Sequence, residues 1–270
     1  MSRNIFLNGA TLMTTPTQRV LAIARETGYA GIEARAERLL NDAGEVEATA
    51  ALAQPNEVLT LNGVALTVRP DGKMDRGVIE SDLRPRLEIC HKLGSPYLLA
   101  IPPRAPGLAT RLAVPGTRDA LQFARDRGNQ LGVRIAFEFL GFADCPINRP
   151  DIAAETVEGI DGIDLVLDSC HWHASGGQPL TNYPVDRMAL LHINDAPDKP
   201  PREIEDADRL LPGDGVIRLG DLFADLRGRG YRGPVSLETF NPRYWAEDPV
   251  AIATRGRAAV MPFLGYGLGH

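Results

Sequence analysis

Four short apolar runs stand out in the second half of the chain: VRIAFE (133–138), IDLVLD (163–168), MALLHI (188–193) and GPVSLE (233–238). Each has the length and the Val, Ile and Leu content of a buried strand, and turn-forming residues follow within a few positions. Each also carries an acid or an imidazole at its carboxyl end: Glu138, Asp168, His192 and Glu238. Because a buried parallel strand does not tolerate an unpaired charge, we expect these four side chains to share a specific task.

Strand-like and helix-like segments also alternate along the rest of the chain. Earlier strands are predicted at 5–9, 31–35, 59–67 and 96–102. The predicted helices that follow the eight strands in turn are 17–27, 44–54, 80–93, 113–131, 150–158, 182–187, 219–229 and 247–262. Eight β/α pairs in this order predict a (β/α)8 TIM barrel, a single α/β domain over residues 1–270. A doubly wound sheet is the main alternative, but GATLMTTP after the first strand is not the glycine-rich turn it would need.

Composition and charge exclude several broad classes of function. The chain of 270 residues is 44% hydrophobic, which is enough for one large core. A net charge of −6 argues against a nucleic-acid partner, which usually requires a basic surface. No apolar run is long enough to predict a membrane span, and the N-terminal segment lacks the features of a signal peptide. The three cysteines are widely spaced and indicate no disulfide frame, so we expect a cytoplasmic protein, with self-association into a homo-oligomer left open.

The carboxyl ends of barrel strands form the face on which such enzymes build their active sites. Neighbouring strands lie about 4.8 Å apart, so four consecutive strand ends can surround a single ion. For any one of these carboxylates the alternative is a salt bridge or a cap at a strand end. Three carboxylates and one imidazole together suit Mn²⁺, Mg²⁺ or Co²⁺ and tolerate Zn²⁺. The sequence therefore predicts one divalent ion, Mn²⁺ first among these, held by Glu138, Asp168, His192 and Glu238.

Several segments resemble the xylose isomerase-like TIM-barrel family of sugar isomerases and epimerases: GYAGIEAR (28–35), LDSCH (167–171), LLHINDAP (190–197) and the stretch from DRLLPGDG to NPRYW (208–245). The likeness is greatest to the inosose (2-keto-myo-inositol) isomerases of that family. The resemblance implies the same four metal ligands and substrate-binding roles for His171 and Arg209. The tagatose-type epimerases of the family carry an arginine six residues after the metal histidine. That position is Asp198 here, which argues against a free ketohexose epimerase.

Such an isomerase moves a carbonyl to the neighbouring carbon or inverts the adjacent stereocentre, so a weakly acidic C–H proton must be removed. A divalent ion stabilises the negative charge of the resulting enediolate. We predict that Glu138 and Glu238, on opposite sides of the ion, take the proton and return it. His171 and Arg209 would hold the substrate oxygens. Glu33 in GIEAR faces the same mouth and is predicted to bind a substrate hydroxyl, with a structural ion pair as the alternative.

The charges near the metal-bearing strand ends predict an uncharged substrate. Arg209 and Arg243 are the cations of this region, and they are surrounded by Asp195, Asp198, Glu203, Glu205, Asp206, Asp208 and Asp214. A loop with this many acids would repel a phosphate dianion, by ~1 kcal/mol for each partly exposed contact. We therefore expect a small sugar or cyclic polyol ketone without a phosphate group.

Three other functions are alternatives to an isomerase or epimerase for a barrel of this kind. Apurinic endonucleases of the endonuclease IV type share the barrel but need histidines that this chain lacks at the ends of strands three and four and in the loop 193–212. A non-catalytic sugar-binding subunit would be expected to lose a metal ligand, whereas all four are present. A metal-dependent dehydratase of the 3-dehydroshikimate type also begins with proton abstraction beside a carbonyl. The sequence does not separate this third alternative from an isomerase.

Overall fold

The eight strands pair in chain order in the computed structural model of the protein, which describes residues 4–265. All ladders are parallel, and β8 pairs with β1 to close the barrel. The strands are β1 Ile5–Asn8, β2 Gly31–Arg35, β3 Val58–Ala65, β4 Tyr97–Ile101, β5 Arg134–Glu138, β6 Ile163–Asp168, β7 Met188–Ile193 and β8 Val235–Leu237. The predicted (β/α)8 barrel is confirmed. The predicted domain bounds also include 1–3 and 266–270, which lie outside the described residues.

Ten α-helices surround the barrel in the described part of the chain: α1 Thr17–Thr27, α2 Ala36–Asn41, α3 Ala43–Leu52, α4 Arg76–Leu93, α5 Thr110–Asn129, α6 Pro150–Val157, α7 Ser169–Ala174, α8 Leu219–Gly228, α9 Pro242–Trp245 and α10 Pro249–Val260. The first has the predicted bounds. It buries Val20, Leu21 and Ala24 against the barrel and ends at Gly28, whose φ of +81° favours glycine. Helices α2 and α9 are short and were not predicted.

The prediction of a helix over 182–187 is wrong. Only one 3-10 turn forms there, at Val185–Arg187, because Pro179 and Pro184 interrupt the segment. The helix after β6 is instead α7, which begins one residue after the strand. Asp168 starts this helix, since its carboxylate accepts a hydrogen bond from the His171 backbone N–H at 2.8 Å.

Inside the barrel, one layer of side chains is apolar, and the next layer toward the carboxyl ends of the strands is polar. Phe6, Ala136, Val166 and Leu190 belong to a buried cluster that is separate from the main core between strands and helices. Each of them lies two residues before a polar side chain at the strand end: Asn8, Glu138, Asp168 and His192. Because successive side chains of a strand alternate between its faces, each pair points to the same side. The polar layer therefore rests on an apolar floor.

Among the described residues, no helix combines the length and apolarity needed to cross a bilayer.

Candidate metal centre and substrate cavity

The four strand-end side chains come together at the mouth of the barrel. One ligand atom from each of Glu138, Asp168, His192 and Glu238 lies within 4.8 Å of the others, and all four residues are buried. The ladders explain this convergence. Asp168 lies beside His192 between β6 and β7, and Glu138 lies beside Val166 between β5 and β6. Consecutive parallel strands thus place their ends around one point.

His192 lies at the centre of these four residues. Its Nδ1 is 2.8 Å from Glu138 Oε1 and 3.4 Å from Glu238 Oε2. Its Nε2 is 3.0 Å from Glu33 Oε1. Burial alone would lower the pKa of His192, but the three carboxylates outweigh it and raise the pKa well above its ordinary value. The imidazole therefore has a hydrogen-bond acceptor at both nitrogens.

Two of the glutamates have carboxyl groups that hold a proton more readily than usual. Burial, together with the charges of Glu238 and Asp168, raises the pKa of Glu138 to about 7, although His192 acts in the opposite direction. Burial also raises the pKa of Glu238, with His192 and Arg209 opposing it. A carboxyl whose pKa lies near neutrality can both take up and release a proton at physiological pH.

A buried arginine joins two of the predicted ligands. Arg209 Nη1 donates to Asp168 Oδ2 at 3.0 Å and to Glu238 Oε2 at 2.7 Å. Burial by itself would raise the pKa of Asp168, but the guanidinium outweighs it and lowers the pKa. Arg209 Nε has no hydrogen-bond partner among residues 4–265. The side chain thus fixes two carboxylates and keeps one donor free.

His171 lies beside this arginine at the start of α7. Its Nε2 is 3.1 Å from Arg209 Nη2, and since the guanidinium can only donate, Nε2 accepts. The ring hydrogen is therefore assigned to Nδ1, which has no partner in the described part of the chain. Burial lowers the pKa of His171 to about 4, with Asp168 opposing, so the ring is neutral at neutral pH. His171 offers one unused N–H donor.

The loop after β5 passes very close to α7 at Gly141. A Cβ atom at this position would lie 2.3 Å from the His171 carbonyl oxygen and 2.9 Å from its Cα. No side chain fits at such a distance, so glycine is required for this approach. Phe142, one residue further on, packs edge-on against the His171 ring with centroids 4.9 Å apart. The close contact thereby sets the position of His171.

A cavity of about 400 Å³ opens beside the predicted ligands. Glu138, Glu238, His171 and Arg209 all line it, so the predicted acid–base pair and two of the predicted substrate-binding residues share one space. Apolar walls come from Leu99, Ile101, Pro102, Leu140, Phe142 and Phe240. The volume lies within the range of sites for small molecules.

Three arginines line the cavity, and each is paired with a carboxylate. Arg209 binds the ligands named above, and its Nη2 lies 2.8 Å from Asp206 Oδ1. Arg35 Nη2 lies 3.0 Å from Glu37 Oε1. Phe240 lies between these two arginines, with their guanidinium carbons 5.0 and 5.2 Å from its ring centroid. The third, Arg104, bonds to carboxylates on other loops, Asp144 at 2.9 Å and Glu205 at 3.2 Å.

The acidic loop expected around the site faces the cavity only in part. Of its seven acids, Asp206 lines the cavity. Asp195 instead accepts hydrogen bonds from backbone N–H groups of its own loop, including Gly213 and Ile217. Asp208 pairs with Lys199 at 2.7 Å. Arg243, the second cation expected there, is exposed and is not part of the lining, whereas Arg35 and Arg104 were not predicted.

Glu33 lies behind His192 and is not part of the cavity lining. It is completely buried. Asn8 Nδ2 donates to its Oε1 at 3.0 Å, and Thr60 Oγ1 donates to its Oε2 at 2.5 Å. Burial alone would raise the pKa of Glu33, but His192 outweighs it and lowers the pKa. The structure therefore places Glu33 away from the substrate contact expected from the sequence, because its neighbours on β1 and β3 occupy its oxygens.

Three asparagines of the site were missed. Asn8 Nδ2 donates to Glu238 Oε1 at 2.9 Å, and Asn62 Nδ2 to the same oxygen at 3.3 Å. Asn194 Nδ2 donates to Asp168 Oδ2 at 2.7 Å. A signal for them exists in the sequence, since each is an uncharged polar residue at the end of, within or directly after an apolar strand. They carry no charge, however, so a pattern of charged strand ends does not include them.

The donor set fits a divalent cation. Four buried carboxylates, Glu33 and the three predicted ligands, lie near His192 and Arg209, and Arg35 Nη1 lies 3.8 Å from Glu238 Oε1. Negative charge therefore exceeds positive charge even when His192 is protonated. Buried carboxylates in excess need a cation or protons, and their number and spacing match an oxygen-rich ligand set with one nitrogen.

Comparisons with known proteins agree with the fold and with the family expected from the sequence. A family model described as xylose isomerase-like TIM barrel matches residues 21–259. An inosose isomerase of Bacillus velezensis is 29% identical over 274 residues, which cover 95% of this chain and 96% of that protein. The crystal structure of an IOLI protein with a bound zinc atom is 26% identical, with a TM-score of 0.87 over 99% of this chain and all of that one.

A more partial likeness involves an enzyme of another class. A 3-dehydroshikimate dehydratase of Pseudomonas aeruginosa is 30% identical over 149 residues. The match covers 53% of this chain and 23% of that protein.

Proposed function

The chain belongs to the xylose isomerase-like TIM-barrel family, and on that premise we propose that it is a divalent-metal-dependent isomerase or epimerase of an unphosphorylated keto-polyol. The observation that carries the proposal is the convergence of Glu138, Asp168, His192 and Glu238 within 4.8 Å beside a cavity. The inosose isomerase of Bacillus velezensis and the zinc-bound IOLI structure support the reaction and the metal dependence. We propose Mn²⁺ as the ion used, because three of the four ligands are carboxylates.

A divalent ion held by these ligands would stabilise negative charge on the substrate oxygens. Proton transfer itself is the work of Glu138 and Glu238. Glu138 lines the cavity and can accept a proton from the carbon next to the carbonyl and then give it up. Glu238 comes from β8, three strands further round the barrel, and offers a second carboxylate to the same cavity. One can remove the proton while the other returns it to the neighbouring carbon or to the other face.

Two neighbouring donors would hold the substrate oxygens. His171 offers Nδ1–H, and Arg209 offers Nε–H, and both atoms lack partners among the described residues. Because the pKa of His171 is lowered to about 4 by burial, its ring binds as a neutral donor and adds no charge. Such groups suit hydroxyl and carbonyl oxygens of a neutral substrate.

The charges of the cavity favour a substrate without a phosphate group. Arg35, Arg104 and Arg209 are the arginines of its lining, and each already binds at least one carboxylate. A phosphate dianion would have to compete with these carboxylates and would also meet Glu37 and Asp206. A cavity of about 400 Å³ that combines polar groups with apolar walls suits a six-carbon ring such as an inosose.

The test is a screen of the metal-supplemented protein against inososes, neutral ketoses and 3-dehydroshikimate, followed by proton NMR in D₂O. We expect an inosose or a related ketone to react, with exchange of one C–H and no change in composition. Absence of turnover on every ketone, with one metal ion bound per chain, would contradict the proposal.

A dehydratase of the 3-dehydroshikimate type is the second candidate, because the Pseudomonas aeruginosa enzyme shares 30% identity over part of its length. The same proton abstraction by Glu138 or Glu238 would be followed by loss of a β-hydroxyl group as water. The NMR experiment separates the two, since a dehydratase product has lost water and gained a carbon–carbon double bond.

A further inference from the structure

The second ring nitrogen of His192 is bound by a residue to which the proposed chemistry assigns no role. His192 Nε2 lies 3.0 Å from Glu33 Oε1 and 3.2 Å from Glu33 Oε2, and both side chains are completely buried. The histidine comes from β7 and the glutamate from β2, so this contact crosses the inside of the barrel. The contact joins strands β5 to β8, whose ends carry the predicted ligands, to the opposite half of the barrel, β1 to β4.

Neighbouring strands hold Glu33 in a single orientation. Asn8 on β1 and Thr60 on β3 are its partners in the two adjacent ladders. Asn8 donates to one carboxylate oxygen and Thr60 to the other. Asn8 also donates to Glu238 Oε1, so one amide fixes Glu33 relative to a predicted ligand. A carboxylate bound at both oxygens by rigid strands is suited to orienting another group.

Only one of the ring nitrogens is available to an ion shared with the other ligands. Nδ1 faces Glu138 and Glu238, while Nε2 faces Glu33. A neutral imidazole that binds a metal through Nδ1 must carry its hydrogen on Nε2, and an acceptor at Nε2 favours that tautomer. Glu33 is such an acceptor.

We propose that Glu33 is a positioning residue: it fixes the ring orientation and the Nε2–H tautomer of His192 so that Nδ1 is presented to a divalent cation. This inference rests on the metal dependence of the proposed function. It differs from a substrate contact, because Glu33 acts through His192 and lies outside the cavity lining.

The experiment compares Glu33→Gln with a matched control, Glu45→Gln. Glu45 is another buried glutamate held by hydrogen bonds, but it contacts Thr17 and Arg38 in the outer helices. The full-length proteins are titrated with Zn²⁺ against a chelator, and the His192 ring nitrogens are observed by ¹⁵N NMR in the zinc-loaded state. Thermal unfolding of the metal-free proteins checks that each variant is folded.

We expect Glu33→Gln to weaken Zn²⁺ binding by roughly 10- to 100-fold, the usual effect of losing the carboxylate behind a metal-binding histidine. The ¹⁵N chemical shifts of the His192 ring should change. The KM for the ketone that reacts in the screen, measured at saturating metal, should stay within about twofold of the wild-type value. Glu45→Gln should bind Zn²⁺ as wild type does.

Three results would overturn the inference. Wild-type Zn²⁺ affinity in Glu33→Gln together with a raised KM would assign Glu33 to the substrate instead. An equal loss of affinity in both variants would show a general effect of a destabilised fold. Failure of the wild-type protein to bind Zn²⁺ would remove both this inference and the metal dependence of the proposed function, whereas normal binding without turnover would contradict the function alone.

Discussion

The two halves of the barrel present different chemistry to one cavity. The ends of β5 to β8 carry the four predicted metal ligands. Strands β1 to β3 carry Asn8, Glu33, Thr60 and Asn62, which form hydrogen bonds to one another and to the predicted ligands His192 and Glu238. Both halves thus contain buried polar groups, but Glu33 of the first half is enclosed, whereas Glu138 and Glu238 of the second line the cavity.

Two glutamates show what the difference depends on. Asn8 donates to both Glu33 and Glu238 through the same amide nitrogen. Glu33 is also bound by Thr60 and His192 and is closed off from the cavity, whereas Glu238 lines it. Whether a buried carboxylate of these strands reaches the cavity therefore depends on the neighbours that surround its oxygens. Its place in the sequence alone does not decide this.

Removal of a ligand from the second half should have the largest effect. We expect His192→Ala and Asp168→Ala to lose most of the bound ion and, with it, activity, because only three of the four predicted ligands remain. Asn62→Ala, which removes a cavity residue of the first half, should keep the ion. Metal analysis of the purified proteins measures this. One metal ion per chain in both His192→Ala and Asp168→Ala, or loss of the ion in Asn62→Ala, would show that the two halves do not differ in metal binding.

Neutralising the proposed acid–base pair should have the next largest effect. Glu138→Gln and Glu238→Gln keep a ligating oxygen but remove the basic group, so each should lower kcat by roughly 10²- to 10⁴-fold. Solvent deuterium should enter the wild-type product at the transferred position. Steady-state kinetics with the metal at saturation separate this effect from lost binding. If both variants turn over at nearly the wild-type rate, the base lies elsewhere, and His171 becomes the next candidate.

Substrate charge should have a smaller effect, and it tests each half separately. We expect kcat/KM for a neutral ketose to exceed that for its phosphate ester roughly thirtyfold, since the ester meets two acids at ~1 kcal/mol each. Glu37→Gln in the first half and Asp206→Asn in the second should each narrow this preference. The variant in which the preference for the neutral ketose falls further identifies the half of the barrel that contributes more to it. A clear preference of the wild-type enzyme for the ester would contradict the proposed substrate class.

The smallest effect is expected for a buried glutamate outside the site. Glu45 accepts hydrogen bonds from Thr17 and Arg38, and although burial alone would raise its pKa, these bonds lower it. Glu45→Gln should reduce the unfolding free energy at neutral pH by about 1–2 kcal/mol with no change in metal binding.

The pH dependence of this loss follows from the sign of the shift. Because the folded-state pKa of Glu45 lies below the unfolded-state value of about 4.5, its stabilisation is fully present above that pH and disappears as the pH falls through the folded-state pKa. Denaturant unfolding of wild type and Glu45→Gln between pH 3 and 7 measures the difference, where ~3 and ~7 bracket the glutamate range. If the difference in unfolding free energy between wild type and Glu45→Gln grows toward low pH, the lowered pKa of Glu45 is contradicted.

Much of the barrel and the convergence of four side chains at its mouth could be predicted from the sequence, because both depend on local patterns. Apolar runs of strand length alternate with helical segments, and a charge at the end of such a run is conspicuous. The convergence of Glu138, Asp168, His192 and Glu238 followed from the parallel order of the strands alone.

What could not be predicted depends on contacts between distant segments. Hydrogen bonds from Asn8 and Thr60 on neighbouring strands, and the contact with His192 across the barrel, determine where the Glu33 carboxylate lies. Nothing in the sequence distinguishes the acids of the loop after β7. In the structure, Asp195 accepts hydrogen bonds from backbone N–H groups, whereas Asp206 lines the cavity. Side-chain direction in an irregular loop has no period from which it could be predicted.

The close approach at Gly141 has a consequence for attempts to change the specificity of this cavity. Leu140 and Phe142 form part of its wall, so they are natural positions for a mutant library. The residue between them is different, because any side chain there would collide with the backbone of His171. A library that randomises all three positions would consist mostly of proteins with a displaced histidine. Diversity at 140 and 142 with glycine kept at 141 would sample new walls while the backbone at His171 stays in place.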